Sequence, residues 1–241
     1  MIFYGINPLF EALHSPYEPG RILVERRKKG TRIGKLLRIA ESRGIPVERV
    51  DSLDRTFRNQ NHQGIAAEIP GFGEQPLKDT DVLNDRLLIL DGLQDPHNFG
   101  AAARVCDAFG FTDILYHRGD SSGITPAAVK VSSGAVFHLR FFVSNLNKAV
   151  KKLKKDGYRL LALEAEGDVT IYDADYSGRI ALVIGSEGRG VRFNIRRDAD
   201  QILSIPMHGN VNSLNVSCAL SSVLTEAARE VSGTETTPDR P

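Results

Sequence analysis

Three polar loops hold the side chains of this sequence that could take part in chemistry. They span residues 94–100, 185–190 and 206–215. Arg104 follows the first loop and supplies a guanidinium, and Glu187 lies among the glycines of the second and supplies a carboxylate. The loops also contain side-chain amides and a hydroxyl. Groups of these types can orient a weak nucleophile against a bound electrophile, a reaction in which positioning supplies most of the rate.

The same loops exclude several familiar kinds of catalytic site. They contain neither a Ser/His/Asp set nor a pair of carboxylates suited to glycoside hydrolysis. The second loop, IGSEGRG, is not a G-x-G-x-x-G turn after the first strand and has no phosphate-loop lysine, so the usual nucleotide signatures are missing. The histidines are scattered without Cys/His spacing, and no metal site is predicted.

Each loop also has a purely structural interpretation. Asn98 could cap the helix that follows it, and Asn212, Ser213 and Asn215 stand where the third loop turns into a helix, since Asn and Ser are ordinary caps. Arg104 is harder to explain structurally, because its helix is otherwise lined with Ala, Val and Cys and arginine is rarely buried without a partner. For the caps, the residues alone leave both interpretations open.

Apolar strands precede the loops and indicate how the loops come together. The predicted strands are 86–91, 113–116, 139–143, 159–163, 180–184 and 202–205. Their alternation with helices predicts a mostly parallel sheet covered on both faces, whose ligands bind beyond the carboxyl ends of the strands. On these grounds alone we expect an unknotted doubly wound sheet, because knots are very rare.

The first 69 residues resemble a separate small α/β domain. We expect helices after Asn7-Pro8, at 31–42 and at 53–57, and strands at 21–25, 47–50 and 65–69. Basic residues cluster in its middle, at Arg26, Arg27, Lys28, Lys29 and Arg32. This basic cluster fits a solvated surface and equally a patch that contacts phosphates.

Composition supports an ordinary globular chain in two domains. Hydrophobic residues make up 41% and charged residues 25% of the 241 residues, no apolar run could span a bilayer, and the start lacks a signal peptide. We predict domains at 1–69 and 85–231, a Pro/Gly-rich linker at 70–84 and a disordered tail at 232–241. Cys106 and Cys218 are expected to be reduced core thiols, which fits a cytoplasmic location.

The three loops resemble the motifs of the SpoU (TrmH) branch of the SPOUT superfamily, the AdoMet-dependent RNA ribose 2′-O-methyltransferases. The matching segments are DPHNFGAAAR at 95–104, IGSEGRG at 184–190, and IPM with SLNVS within 205–217. Their order and spacing agree, so the resemblance covers about residues 85–231. Residues 1–69, with FYGINPLFEAL and HQGI, resemble the substrate-binding domain of the ribosomal-RNA members.

The resemblance implies properties that the residue patterns do not supply. It implies an α/β SPOUT domain whose parallel sheet carries a trefoil knot, preceded by a small α/β RNA-binding domain. It also implies a homodimer whose active site is completed across the subunit interface. S-adenosyl-L-methionine (AdoMet) would be held by the backbone around Leu163, Gly185, Ile205 and Leu214.

The same resemblance assigns catalytic positions. They are Asn98, Arg104, Glu187, Ser213 and Asn215. Family proposals give Arg104 the proton-handling role, but a guanidinium stays protonated near neutrality. We therefore expect Arg104 to contact the phosphate and 2′-oxygen of the nucleotide, and to act as a base only if a phosphate and Glu187 alter its environment. Asn98 and Asn215 would orient the ribose and the loop.

The leading hypothesis is a guanosine 2′-O-methyltransferase of large-subunit ribosomal RNA, because the N-terminal domain matches that subgroup. A tRNA ribose 2′-O-methyltransferase is an alternative within the same class. A non-catalytic RNA-binding protein with a degenerate pocket is an alternative from another class. In each case RNA, and not a membrane, is the expected partner.

Overall fold

The computed structural model describes residues 1–78, 80–210 and 213–234, with side chains described through residue 230. Its first sheet contains β1 (Ile2–Tyr4), β2 (Arg21–Glu25), β3 (Val47–Val50) and β4 (Ile65–Glu68), accompanied by helices α1 (Ile6–His14) and α2 (Thr31–Ser42). The strand order is β1-β4-β2-β3, in which β2 and β3 are parallel and the other two pairs antiparallel. The alternate residues Ile22 and Val24 of β2 are fully buried in the core.

The second sheet has eight strands, all paired in parallel. They are β5 (Gln75–Pro76), β6 (Arg86–Asp91), β7 (Asp113–Tyr116), β8 (Arg140–Val143), β9 (Arg159–Leu163), β10 (Val169–Thr170), β11 (Ile180–Gly185) and β12 (Gln201–Ser204), in the order β10-β12-β9-β11-β6-β7-β8-β5. The predicted parallel sheet behind a small α/β domain is therefore confirmed. The trefoil knot stays a prediction, since strand pairing does not describe how the chain is threaded.

Helices cover both faces of the second sheet. One face carries α3 (Pro96–Ala108), α4 (Pro126–Val131), a 3-10 helix (Ala135–His138) and α7 (Val216–Thr234), and the other carries α5 (Leu146–Lys155) and α6 (Phe193–Arg197). Along β6, Leu88 and Leu90 pack toward the first face, whereas Leu87 and Ile89 pack toward the second. Because the strand is buried on both faces of the sheet, its sequence is continuously apolar. No described helix is long and apolar enough to cross a membrane.

The two sheets share one hydrophobic core, and the segment between them packs against it. The ring of Phe137 lies 4.9 Å from that of Phe3 and 4.8 Å from that of Phe72, which belongs to the connecting segment. Lys130 Nζ donates to Gln63 Oε1 at 2.6 Å and joins α4 to the N-terminal domain. β5, also within the expected linker, pairs with β8. These contacts fix the first domain against the second.

Two helices begin earlier than predicted. α1 follows Gly5, whose φ of 108° starts the turn, so Asn7 lies inside the helix and does not cap it. α3 is capped by Asp95, whose carboxylate accepts a first-turn N–H at 2.9 Å, and not by Asn98. In α3 the proline, Pro96, occupies the first helical position, so the residue before it, Asp95, becomes the cap.

The end of the chain and the segment at 53–57 also differ from expectation. Residues 53–57 form turns, and their apolar spacing arises because Leu53 and Phe57 pack beside Tyr4. α7 continues to Thr234, three residues into the expected tail. Residues 235–241 and the possible cap Asn212 lie outside the described residues.

The two cysteines have different environments. Cys106 is buried, and burial raises the pKa of its thiol, as expected for an inert core residue. Cys218 is exposed, so the expectation of a second core thiol was wrong. It lies in the first turn of α7, where its neighbours Val216 and Leu220 are the residues that face the core.

A pair of helical glycines tests the close packing of α3 on α4. A Cβ on Gly100 would lie 2.5 Å from the backbone oxygen of Ala128, whereas a Cβ on Gly34 of α2 would meet nothing within 4 Å. We expect Gly100→Ala to lower the free energy of unfolding by about 1–3 kcal/mol, as overpacking does. Gly34→Ala should raise it by about 0.5–1 kcal/mol. Urea unfolding measures both, and equal effects would contradict the packing.

Candidate functional site

The three loops meet at the carboxyl ends of the parallel strands. Asn98 Nδ2 donates to Glu187 Oε1 at 2.9 Å, and Asn215 Nδ2 donates to Asn98 Oδ1 at 2.9 Å. Asn215 Nδ2 also lies 3.2 Å from Glu187 Oε1. One side chain from each loop therefore takes part in a closed hydrogen-bonded triangle. The two amides donate to the carboxylate and hold it in one orientation at the edge of the sheet.

Helix α7 explains why Asn215 has a fixed orientation. Its Oδ1 accepts the backbone N–H of Ser217 at 2.9 Å and the Ser217 hydroxyl at 2.7 Å, which caps the helix. Its Nδ2 remains free to bond Asn98 and Glu187. The structural and functional interpretations of Asn215 are thus compatible, because different atoms serve each.

The second loop is closed tightly around Glu187. Gly190 donates its N–H to Ser186 O at 2.8 Å, and a Cβ on Gly185 would lie 2.0 Å from the carbonyl carbon of Gly190. A side chain at residue 185 would therefore force the loop open. Beyond the loop, the Val191 N–H donates to Glu164 Oε1 at 2.8 Å, which fixes the loop to the end of β9.

A cavity of about 330 Å³ lies between this loop, the end of β9 and the start of α7. All four residues expected to hold a cofactor line it, together with two of the expected catalytic residues. They are Leu163, Gly185, Ile205, Leu214, Glu187 and Ser213. Apolar side chains, backbone groups and two carboxylates, Glu164 and Glu187, thus surround the same space, and the volume lies within the range of small-molecule sites.

Arg104 is not brought to the triangle. It is exposed on α3, and Nη1 donates to Ser133 Oγ at 3.4 Å, a weak hydrogen bond. Among the described contacts, Arg104 makes none to Asn98, Glu187 or Asn215. The structure therefore assembles four of the five expected catalytic residues around one opening and leaves the fifth elsewhere on the surface.

The five basic residues expected to bind RNA also lie outside the triangle. Arg26, Arg27, Lys28 and Lys29 follow β2, and Arg32 lies in the first turn of α2. Arg26 pairs with Asp51 at 3.0 Å, and Arg32 Nη2 donates to Asn7 Oδ1 at 2.8 Å. The cluster belongs to the surface of the N-terminal domain.

The profile of the SpoU rRNA methylase family matches residues 85–225, which contain all three loops. The chain belongs to the SpoU rRNA methylase family. A second profile, described as RNA 2′-O ribose methyltransferase substrate binding, matches residues 2–74. The two profiles correspond to the two sheets.

Curated SpoU relatives match over nearly the whole chain. The 23S rRNA (guanosine-2′-O-)-methyltransferase RlmB of Salmonella typhimurium is 35% identical over 238 residues, which is 95% of this chain and 98% of the relative. The RlmB protein of Xylella fastidiosa 9a5c is 37% identical over 94% of this chain and 95% of its own length. The RlmB protein of Escherichia coli K12 is 34% identical over 95% of this chain and 98% of its own length.

Solved structures share the fold. The SpoU methyltransferase AviRb of Streptomyces viridochromogenes, in complex with the cofactor AdoMet, superposes with a TM-score of 0.78 at 24% identity, over 96% of this chain and 90% of that chain. A TrmH/SpoU tRNA modifying enzyme from A. aeolicus, 29% identical, covers 63% of this chain and 78% of its own, with a TM-score of 0.58. The first of these likenesses extends over both domains.

Two carboxylates that support the SpoU loops, Asp91 and Glu164, were not among the residues predicted from the sequence. Asp91, at the end of β6, is fully buried and accepts the backbone N–H of Arg192 at 2.7 Å, and the Arg192 guanidinium pairs with it. Glu164 bonds to the backbone amide of Val191. Both carboxylates have partners that are distant in sequence, so the local pattern does not indicate them. The one available signal was a carboxylate ending the otherwise apolar strand RLLILD.

A cluster of possible metal ligands lies in the N-terminal domain, although none was expected. The ligand atoms of Glu25, Asp54 and His62 lie within 4.8 Å of one another. His62 Nδ1 accepts the N–H of Gly64 at 3.1 Å, so Nε2 donates to Asp54 Oδ1 at 3.0 Å, and this contact lowers the pKa of Asp54. Both ring nitrogens thus serve protein hydrogen bonds that hold the turn before β4.

Proposed function

We propose that this protein transfers the methyl group of AdoMet to the ribose 2′-hydroxyl of a guanosine in 23S ribosomal RNA. The observation that carries the proposal is the match to RlmB proteins at about 35% identity across both domains. The tRNA-directed relative covers only 63% of the chain, which favours ribosomal RNA over tRNA. The intact hydrogen-bonded triangle argues against a degenerate, non-catalytic pocket. Ribosomal RNA as substrate favours a cytoplasmic location.

The cofactor fits the 330 Å³ cavity. Leu163, Ile205 and Leu214 offer apolar surface and backbone groups, and Gly185 leaves room for the loop to close over a ligand. Bound AdoMet supplies an electrophilic methyl group on a positively charged sulfur. Glu187 lies on the wall of the same cavity, so its carboxylate complements that charge. The AdoMet complex of the structurally similar AviRb supports the choice of cofactor.

The chain's own residues position the acceptor. The 2′-oxygen must form its bond to the methyl carbon in line with the breaking carbon–sulfur bond. The sulfur would leave as the neutral thioether S-adenosylhomocysteine, and the hydroxyl proton would pass to the Glu187 carboxylate or to water. Glu187, oriented by Asn98 and Asn215, can accept a hydrogen bond from the 2′-hydroxyl and turn an oxygen lone pair toward the cavity. Ser213 lines the same opening. Alignment of this kind is worth several kcal/mol of the barrier, up to about 7–11.

Arg104 requires a second subunit in this proposal. Because it lies away from the triangle of its own chain, we propose a homodimer in which Arg104 of the partner subunit contacts the nucleotide phosphate and 2′-oxygen. A surface with an exposed aromatic ring supports such an interface, since Tyr172 is 57% exposed beside the outer residues Cys218 and Ser222 of α7. A guanidinium there stabilises phosphate charge without having to lose its own proton.

We propose the domain limits 1–69 and 85–231 for RNA binding and methyl transfer. The family profiles, at 2–74 and 85–225, support this division. Residues 70–84 join the two as a packed connection, and the start of α7 belongs to the catalytic domain. The basic cluster at Arg26–Lys29 and Arg32 is the proposed phosphate contact of the first domain.

Methylation mapping tests the proposed function. Total RNA from a strain lacking this protein is compared with RNA from the parent and from a strain that carries the gene on a plasmid. One 2′-O-methylguanosine of 23S rRNA should disappear in the deletion and return on complementation. Persistence of every ribosomal 2′-O-methyl group, with loss of one in tRNA, would instead support the tRNA alternative.

Mixed dimers test the shared site. Arg104→Ala removes the guanidinium, and Gly185→Ala blocks closure of the cofactor loop, so each variant alone should be inactive. Co-expressed with separate tags, they should regain roughly a quarter of the activity, because a twofold dimer of the two contains one intact composite site. Gly34→Ala in α2, whose Cβ would meet nothing within 4 Å and which lies outside the three loops, is the control and should stay active. No recovery would place both residues in the same subunit's site.

Salt dependence tests the basic cluster. Neutralising Arg27, Lys28 and Lys29 to Gln should reduce the slope of log binding constant against log salt by about 2, since each lost contact to single-stranded RNA removes about 0.7. The matched control neutralises Lys148, Lys151 and Lys155, three exposed lysines of α5. Equal salt slopes for the two variants would show that the cluster is a solvated surface and does not contact RNA.

A further inference from the structure

A second cavity of about 390 Å³ adjoins the cofactor cavity. Ser186–Arg189 lines both, so this loop forms a common wall. The second cavity is also lined by the turn after β6, Gly92–Asp95, and by Asn98. A methyl acceptor must lie beside the methyl donor, and this cavity contains the Asn98–Glu187 pair that would orient a ribose.

The Arg189 guanidinium lies beside the turn after β6. A Cβ on Gly92 would lie 2.6 Å from Arg189 Nη2, and the φ of +81° at Gly92 is a backbone conformation that favours glycine. Arg189 is exposed and makes no hydrogen bond or ion pair with any residue that the structure describes. The cavity wall thus carries a guanidinium whose donors are available to a ligand.

The turn after β6 also carries a carboxylate. Asp95 Oδ1 accepts the His97 N–H at 2.9 Å and caps α3, which fixes the side chain. No described group bonds the other oxygen, Oδ2. A cavity lined by a fixed carboxylate and an available guanidinium suits a flat ligand that presents donors along one edge and acceptors along the adjoining edge.

We propose that the second cavity takes the guanine base of the acceptor nucleotide, with Arg189 donating to O6 and N7 and Asp95 Oδ2 accepting from N1–H and the 2-amino group. The proposal rests on the proposed function and adds the source of base choice to it. Arginine forms this paired contact with guanine O6 and N7, and RNA-binding proteins read the edges of unstacked bases. The ribose then lies at the common wall, beside Asn98 and Glu187.

The arrangement selects guanine over other bases. Adenine presents an acceptor at N1 and an amino group at position 6, so it would place an acceptor against Asp95 and a donor against Arg189. Inosine keeps O6, N7 and N1–H and lacks only the 2-amino group. Guanosine should therefore be preferred over inosine through Asp95, and both over adenosine through Arg189.

Two substitutions separate the two contacts. Asp95→Asn keeps the cap, since Asn caps helices as well as Asp, but replaces the free carboxylate oxygen with a donor. Arg189→Gln removes the guanidinium, and Arg196→Gln removes an equally exposed arginine of α6 as the matched control. The substrate is an RNA oligonucleotide spanning the mapped guanosine, with guanosine, inosine or adenosine at that position. The readouts are kcat/KM for each base and AdoMet affinity by calorimetry.

The expected results differ between the variants. Asp95→Asn should lower kcat/KM for guanosine by roughly 10- to 100-fold and abolish the preference over inosine. Arg189→Gln should lower kcat/KM for guanosine and for inosine by roughly the same factor, whereas Arg196→Gln should keep the wild-type values. AdoMet affinity should be unchanged in all three.

Other outcomes overturn the inference. It is wrong if Asp95→Asn keeps the wild-type ratio of guanosine to inosine, or if Arg189→Gln behaves like Arg196→Gln. It is also wrong if Arg189→Gln weakens AdoMet binding as much as catalysis, since the cavity would then belong to the cofactor. Failure of the proposed function is distinct, because the wild-type protein would then produce no 2′-O-methylguanosine in 23S rRNA.

Discussion

The buried pair of Asp91 with Arg192 is the contact on which the site depends. Asp91 ends β6 with no exposed surface and accepts hydrogen bonds from both the backbone and the guanidinium of Arg192. A buried carboxylate is tolerated only with such partners. The pair therefore fixes the end of the glycine-rich loop to the turn after β6. The second cavity opens between those two segments, and the same loop lines the cofactor cavity, so the pairing affects the shape of both.

The second constraint is the core shared by the two domains. Phe137 contacts rings from the N-terminal domain and from the connecting segment, and Lys130 bonds to Gln63 across the same boundary. In the proposed function, RNA held by the N-terminal domain is presented at a fixed distance from the three loops. A flexible linker would not keep that distance fixed. Selection of one guanosine would then combine the placement of the RNA by one domain with the proposed base contacts of the other.

Much of this arrangement could be predicted from the sequence, because strand and loop patterns are local. Apolar strands ending in polar loops indicated a parallel sheet with its ligands at one edge, and the resemblance of the three loops indicated the family. Residues whose partners are distant in sequence were missed: Glu164 bonds to an amide of Val191, and Phe72 packs on Phe137. The cap of α3 was misassigned because two capping residues, Asp95 and Asn98, flank its proline.

Methyl transfer by the purified protein tests the central claim most directly. The protein is incubated with AdoMet carrying a deuterated methyl group and an unmodified 23S rRNA transcript, and the RNA is digested to nucleosides for mass spectrometry. We predict that the label is found in 2′-O-methylguanosine and that Glu187→Ala abolishes it. Label in a base-methylated nucleoside, or equal transfer by Glu187→Ala, would contradict the account.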